Sequence, residues 1–165
     1  MTGTDARQGP EASRPRSHLI LAAVDRSENS RRAVAYLACW LATDVDARCV
    51  LVHVVRDPGG DVAPAPGERE RLVAERRRDG ELLLDEARRA LESAGVPAGR
   101  IAVRILTCSP PGTVARTLLE ERARDRYDTL VVGRRGMSKR EEYIFGSVTA
   151  SLVREAADVC VWVVA

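Results

Sequence analysis

Five short apolar runs, separated by stretches of helical periodicity, constrain this chain more than anything else in it. The first, His18-Leu-Ile-Leu-Ala-Ala-Val-Asp25, is almost unbroken and closes on an acid. A strand with one wet face alternates polar and apolar residues, whereas one covered on both faces does not, so this run reads as an interior strand of a parallel sheet. The runs at 47–55 (ARCVLVHVV), 100–107 (RIAVRILT), 129–132 (TLVV) and 159–165 (VCVWVVA) read as four more. Between the first two, Ser27 or Ser30 is placed to cap a helix reaching about residue 42, with Ala33, Leu37, Trp40 and Leu41 on its inner stripe. A second helix spans about 68–94, with Leu83, Ala87, Ala90, Leu91 and Ala94 on one face and Gly80 as a weak point. A third covers about 113–124 with Val114, Leu118 and Leu119 inward, and a fourth about 146–156. Five strands alternating with four helices predict an α/β fold: a doubly wound, five-stranded parallel sheet with helices on both faces. Ligands of such sheets bind at the carboxyl ends of the strands, where the strand order reverses.

The fourth strand carries the most specific signal. It stops at Gly133, a polar segment follows, and a helix starts at Gly146-Ser147, giving the spacing Gly133-x-x-Gly136-x9-Gly146-Ser147. A strand that ends in glycines and feeds a helix N-terminus lets backbone N–H groups approach an anion with no Cβ in the way. Arg134, Arg135, Lys139 and Arg140 lie within the segment, so cations stand where phosphate oxygens would arrive. This is the pattern of a phosphate cradle. Across the predicted sheet, Asp25 ends the first strand beside apolar Ala23 and Val24.

At 165 residues the chain suits one domain, read here as residues 18–165 behind a disordered tail at 1–17 that lacks an apolar face. Lys+Arg 26 against Asp+Glu 24 leaves +2, too little to argue for nucleic acid. The arginines between 69 and 78 alternate with acids and lack aromatic companions, which reads as a solvated helix face. Cys39, Cys49, Cys108 and Cys160 form no C-x-x-C pair and sit in apolar patterns, so buried free thiols in a reducing compartment are expected. No apolar run approaches a membrane span and no secretion signal opens the chain. The expectation is a cytoplasmic protein without a membrane or nucleic-acid partner.

The glycine spacing, together with Ile20-Leu-Ala-Ala-Val-Asp25, Ser27-Glu-Asn-Ser, Leu51-Val-His-Val54 and Gly146-Ser-Val-Thr, resembles the universal stress protein family in its ATP-binding branch. The resemblance covers about 18–165. It implies a flavodoxin-like fold of the adenine nucleotide alpha hydrolase-like kind that binds ATP, with or without Mg²⁺, and that forms a homodimer through its last strand, here 159–165. Carried over by position, Ala23, Val24 and Asp25 would line the adenine pocket, with Val54 beside the adenosine. Val132 and Gly133 would contact ribose and phosphates, while Gly136, Gly146, Ser147 and Val148 hold the triphosphate and Arg135 stands near it. On this view a side chain placed at Gly133 or Gly146 strikes the phosphates without unfolding the domain. Asp25 could equally be a turn aspartate and Ser147 a helix N-cap. The chain departs from the family in Arg26, which adds a cation near the adenine end, and in Glu141-Glu142, which put two negatives inside the phosphate loop.

The resemblance points to a nucleotide-dependent regulator in stress response. No Gly-Lys-Ser/Thr follows a glycine loop and no water-activating base is evident, so hydrolysis is expected to be absent or slow. The alternatives are a slow Mg-dependent ATPase or nucleotidyl transferase on the same fold, or a dimeric scaffold that has lost nucleotide binding. His53, mid-strand with no nucleophile placed to pair with it, reads as a satisfied core or pocket-edge imidazole, and His18 as solvated.

Overall fold

The computed structural model of the protein describes residues 18–58, 66–135 and 145–165. The tail at 1–17, and with it Gly136, Lys139, Arg140, Glu141 and Glu142, lies outside the described residues. The elements in chain order are β1 (Leu19–Ala23), α1 (Glu28–Thr43), β2 (Arg48–Arg56), α2 (Pro66–Ser93), a single 3-10 turn (Ala98–Arg100), β3 (Ile101–Cys108), α3 (Val114–Asp125), β4 (Thr129–Gly133), α4 (Ser147–Glu155) and β5 (Cys160–Val164). All strands pair in parallel in the order β3-β2-β1-β4-β5, with Ala22 opposite Leu51 on one side and Val131 on the other. The α/β expectation holds, with five parallel strands and four helices.

Side chains alternate across the sheet and so build two cores. On one face Ile20, Ala22, Leu51 and Val131 meet the stripes of α1 and α2, notably Leu37, Leu41, Leu84 and Leu91. On the other, Leu21, Val52, Leu130 and Val132 meet Leu118 of α3 and Leu152 of α4. Both faces of β1 and β4 are covered, which is why their sequences show no alternation. The last strand is an edge, and its Trp162 is braced by ring contacts with Trp40 at 5.1 Å and Tyr36 at 5.9 Å.

Several local readings are corrected. The first strand ends at Ala23 and not at Asp25, because the Asp25 N–H leaves the ladder and donates to Ser30 Oγ at 2.9 Å. On α2, Leu84 is buried where Ala90 and Ala94 stay exposed. Gly80, a poor helix former inside α2, is also a close contact: a Cβ there would lie 2.6 Å from His53 Cδ2 and 3.2 Å from Ile105 Cδ1, so glycine lets α2 pass close over β2. Only Cys49 and Cys108 are buried thiols. Cys39 faces outward from α1 and Cys160 opens the edge strand, both exposed, and all four are free. His18 is half-exposed and its Nδ1 pairs with Asp44 Oδ2 at 2.7 Å.

One charge network has no counterpart in the sequence reading. Glu121 is only 1% exposed, yet it is an acid on α3. Arg104 from the edge strand β3 binds it and also Asp125 at 2.7 Å, and Arg124 Nη1 reaches its other oxygen at 3.0 Å. A buried carboxylate is tolerated only when paired in this way. The network ties β3 to α3.

Two buried acids set the alkaline limit. Burial pushes the Cys49 thiol from an ordinary 9.0 up to about 12, against a smaller opposing pull from Arg100. Burial likewise pushes the Tyr127 phenol from 10.0 up to about 12. Both bind their proton more tightly folded than unfolded. The stability they lend is therefore complete below the unfolded values and is lost as pH climbs through the window up to about 12. Urea denaturation followed from pH 8 upward should show stability falling from about pH 9, with a slope approaching about 1.4 kcal/mol per pH unit for each group. In Cys49→Ala the onset should move to near pH 10, where Tyr127 takes over; an unchanged onset would contradict this account.

Candidate functional site

β1 and β4 are neighbours in the sheet, but α1 packs on one face and α4 on the other. The connections leave in opposite directions, and a crevice opens between them at the carboxyl ends of the two strands.

On the β1 side the turn into α1 closes through three short bonds. Ser27 is the N-cap, its Oγ accepting from Ser30 N at 3.1 Å. Its own N–H donates to Asp25 Oδ1 at 2.9 Å, while Asp25 N–H donates to Ser30 Oγ at the same distance. Asp25 is thus a turn aspartate through one carboxylate oxygen, Oδ1, and Oδ2 takes no part in these three bonds.

On the β4 side, Gly133 O accepts from the buried Thr149 Oγ1 at 2.9 Å. The segment between strand and helix is gathered at its neck: Arg134 N–H donates to Val164 O at 2.6 Å, Gly146 N–H to Arg134 O at 3.0 Å, and Asn29 Nδ2 to Arg135 O at 3.2 Å. Gly146, not Ser147, is the N-cap of α4, and it offers no side chain to the first-turn amides. The N–H groups that open α4 are the orphan donors of any helix start, and they carry the positive end of its dipole. Arg134 Nε and Arg135 Nε are buried without a hydrogen-bond partner among the described residues. A buried guanidinium N–H without an acceptor is costly, and an anion would satisfy it.

These parts surround one cavity of about 390 Å³. Ten of the eleven residues singled out from sequence line it: Ala23, Val24, Asp25, Val54, Val132, Gly133, Arg135, Gly146, Ser147 and Val148; Gly136 lies outside the described residues. Arg26 does not line it. Its guanidinium turns to Asp79 of α2 at 3.6 Å, away from the expected adenine end. Sequence reasoning did not place Ser27, Ser30, Val52, Arg56, Val114, Leu118 and Thr149 on the cavity, and His53, read as a core or pocket-edge imidazole, lines it. Ser30 and Thr149 are polar positions one turn into α1 and α4, on the faces that meet the strand ends. That spacing was the available signal. His53 Nδ1 lies 2.8 Å from Val24 O. A carbonyl only accepts, so Nδ1 carries the proton and the ring is fixed at the cavity's edge.

The comparisons with known proteins agree with this architecture. The family model described as the Universal stress protein family matches residues 17–164. The chain belongs to that family. Universal stress protein UspA from Lactobacillus plantarum superposes with a TM-score of 0.78 at 18% identity, over 92% of this chain and 100% of that one. A protein of the universal stress protein family from Burkholderia pseudomallei is 26% identical, with a TM-score of 0.67 over 90% of this chain and 96% of that one. The universal stress protein from Archaeoglobus fulgidus in complex with dAMP is 17% identical, with a TM-score of 0.60 over 90% and 98%. No curated protein matches the chain.

In this universal stress protein Gly133 has a second duty that sequence spacing does not show. A Cβ on it would sit 2.8 Å from the Asn29 carbonyl carbon, 2.9 Å from Asn29 Cβ and 3.0 Å from Ser30 N. The side chain would strike the first turn of α1, so Gly133 is no clean probe of ligand contact. Gly133→Val should lower stability by about 2 kcal/mol, the scale of overpacking against backbone. Thermal denaturation without any ligand checks this, and an unchanged midpoint would reject the close approach.

Proposed function

We propose that this universal stress protein is an adenine-nucleotide-binding regulator that takes ATP in the cavity between β1 and β4. The observation that carries the reading is the buried Arg135 Nε, without a hydrogen-bond partner among the described residues, on the same cavity as the start of α4, which has no side-chain cap. Together they form a positive wall suited to an anion. The opposite wall suits a flat base. Ala23, Val24 and Val54 are apolar, and Asp25 Oδ2 can accept from an exocyclic amine while Oδ1 keeps its bond to Ser27. The dAMP complex of the Archaeoglobus fulgidus relative supports the same ligand class. Ala23, Val24, Asp25 and Val54 would hold adenine and ribose. Val132, Gly133, Arg135, Gly146, Ser147 and Val148 would hold the phosphates, with Gly136 in the loop between them. Among the described residues no group of three or more His, Cys, Asp or Glu side chains gathers to hold a metal.

The chain contains no Gly-Lys-Ser/Thr, which favours a role in which occupancy, not turnover, is read by partners in a stress response. Free thiols suit action in the cytoplasm, and among the described residues no helix is long and apolar enough to cross a membrane. The edge strand β5 supports a homodimer, because an uncovered hydrophobic edge invites pairing.

Calorimetry should find ATP binding in preference to GTP, whose ring carries an acceptor where adenine carries its amine. Asp25→Asn keeps an oxygen for Ser27 and should remove that preference. Arg135→Ala should weaken ATP by about tenfold, the effect of one charge-assisted hydrogen bond. Equal affinity for ATP and GTP in the unmodified protein, or no binding, would reject the site. Sedimentation at micromolar concentration should give twice the chain mass, and a monomer would reject pairing through β5.

A further inference from the structure

Behind the β1–α1 turn a second cavity, of about 530 Å³, runs along the seam between α1 and α2. The core of that seam is filled by Leu37, Leu41, Leu84 and Leu91, which set how near the helices come. Beside the leucines the lining includes small residues: Ala35 and Ala38 on α1, Ala87 and Ala90 on α2 and Ala94 just past its end, together with Val34 and Leu83. Alanines cannot span a gap that leucines hold open, so a trench is left. Leu82 stands at its lip, 62% exposed, and the exposed thiol of Cys39 opens into it. From Leu82 to Ala94 the trench follows α2 for roughly 18 Å, at the helical rise of about 1.5 Å per residue.

The two ends of the trench differ. At the start of α1 stand Arg26 and Arg31, beside the positive end of the helix dipole. Arg31 has no acid partner among the described residues, and Arg26 reaches only Asp79 at 3.6 Å, with both side chains more than half exposed. The Asp25 carboxylate at this end is turned to Ser27 N–H, and Glu86 lies further along. Towards Ala94 the lining is apolar. Two exposed guanidinium groups, of which Arg31 has no acid partner among the described residues, joined to an apolar channel are complementary to one ligand shape.

We propose that the α1–α2 trench binds a single-chain amphiphile with an anionic head, such as a long-chain carboxylate. The tail lies along Ala38, Ala87, Ala90 and Ala94, and the carboxylate is held by Arg31 and Arg26. The trench shares Val24, Asp25 and Ser30 with the cavity between β1 and β4, while Arg26, Arg31 and the alanines that carry the proposal line the trench alone.

Cys39 supplies the readout. In a Cys160→Ser background, dodecanoate below its micelle concentration should slow alkylation of Cys39 saturably, as followed by mass spectrometry. Dodecanol, with the same tail and no charge, should protect at least about tenfold less well, and Arg31→Glu should weaken dodecanoate by about the same factor. Ala90→Phe fills the trench from an exposed position and should abolish calorimetric binding of dodecanoate while leaving the thermal midpoint in place. Unchanged Cys39 reactivity at every dodecanoate concentration would overturn the proposal, as would equal protection by dodecanol. Protection that rises with protein concentration alone would show that a second copy covers the trench, and would overturn it too.

Discussion

The contact on which the molecule depends is the one between Gly133 and the first turn of α1, where not even a methyl group fits. It is made by the end of β4 and the start of α1, which already pack together through Val131, while α4 lies on the other face of the sheet. Because β4 ends without a side chain, α1 can begin directly over it, and the Asn29 amide can reach across to the carbonyl of Arg135. Two helix N-termini are thereby brought to one crevice, each contributing unsatisfied donors and a positive dipole end. An open parallel sheet always leaves a crevice where its strand order reverses. What this chain adds is the closeness of the approach.

The fold was legible because parallel strands buried on both sides leave an unmistakable trace: Leu-Ile-Leu-Ala-Ala in β1 and Leu-Val-Val in β4 have no polar residue to turn to water. Boundaries were less so. The end of β1 is decided by a side chain seven residues beyond Ala23, Ser30, which takes the Asp25 N–H out of the ladder. The start of α4 is decided by Gly146 adopting the capping conformation, although serine at the next position has the stronger intrinsic preference. Exposure also resists prediction at element ends and edges. Cys160 is apolar in pattern but belongs to the last strand, where one flank has no neighbour.

Of the candidate site, sequence spacing recovered the residues whose role is local, meaning those that end strands or open helices. It could not recover those placed by packing across long separations. The carbonyl that anchors the His53 ring, Val24 O, is 29 residues away, and Arg56 joins the cavity because β2 runs four residues beyond Val52, the partner of the last residue of β1. The same limit hides the Arg104–Glu121 pair, which looks in sequence like two charges on separate solvated elements and is in fact a buried tie. Glycines were the least readable residues. At 80 and at 133 the missing side chain is demanded by a neighbour from another element, and nothing in the local pattern names that neighbour.

The tight fit of Gly80 against the His53 ring bears on how the chain can change over time. With histidine at 53, any side chain at 80 collides with a ring that is itself tethered to the turn leading into α1. A smaller residue at 53 would have to be accepted first, and only then could α2 trade its glycine for a stronger helix former. Descendants of this sequence are therefore confined to one order of steps at this pair, and the reverse order passes through an intermediate whose α2 is pushed off the sheet.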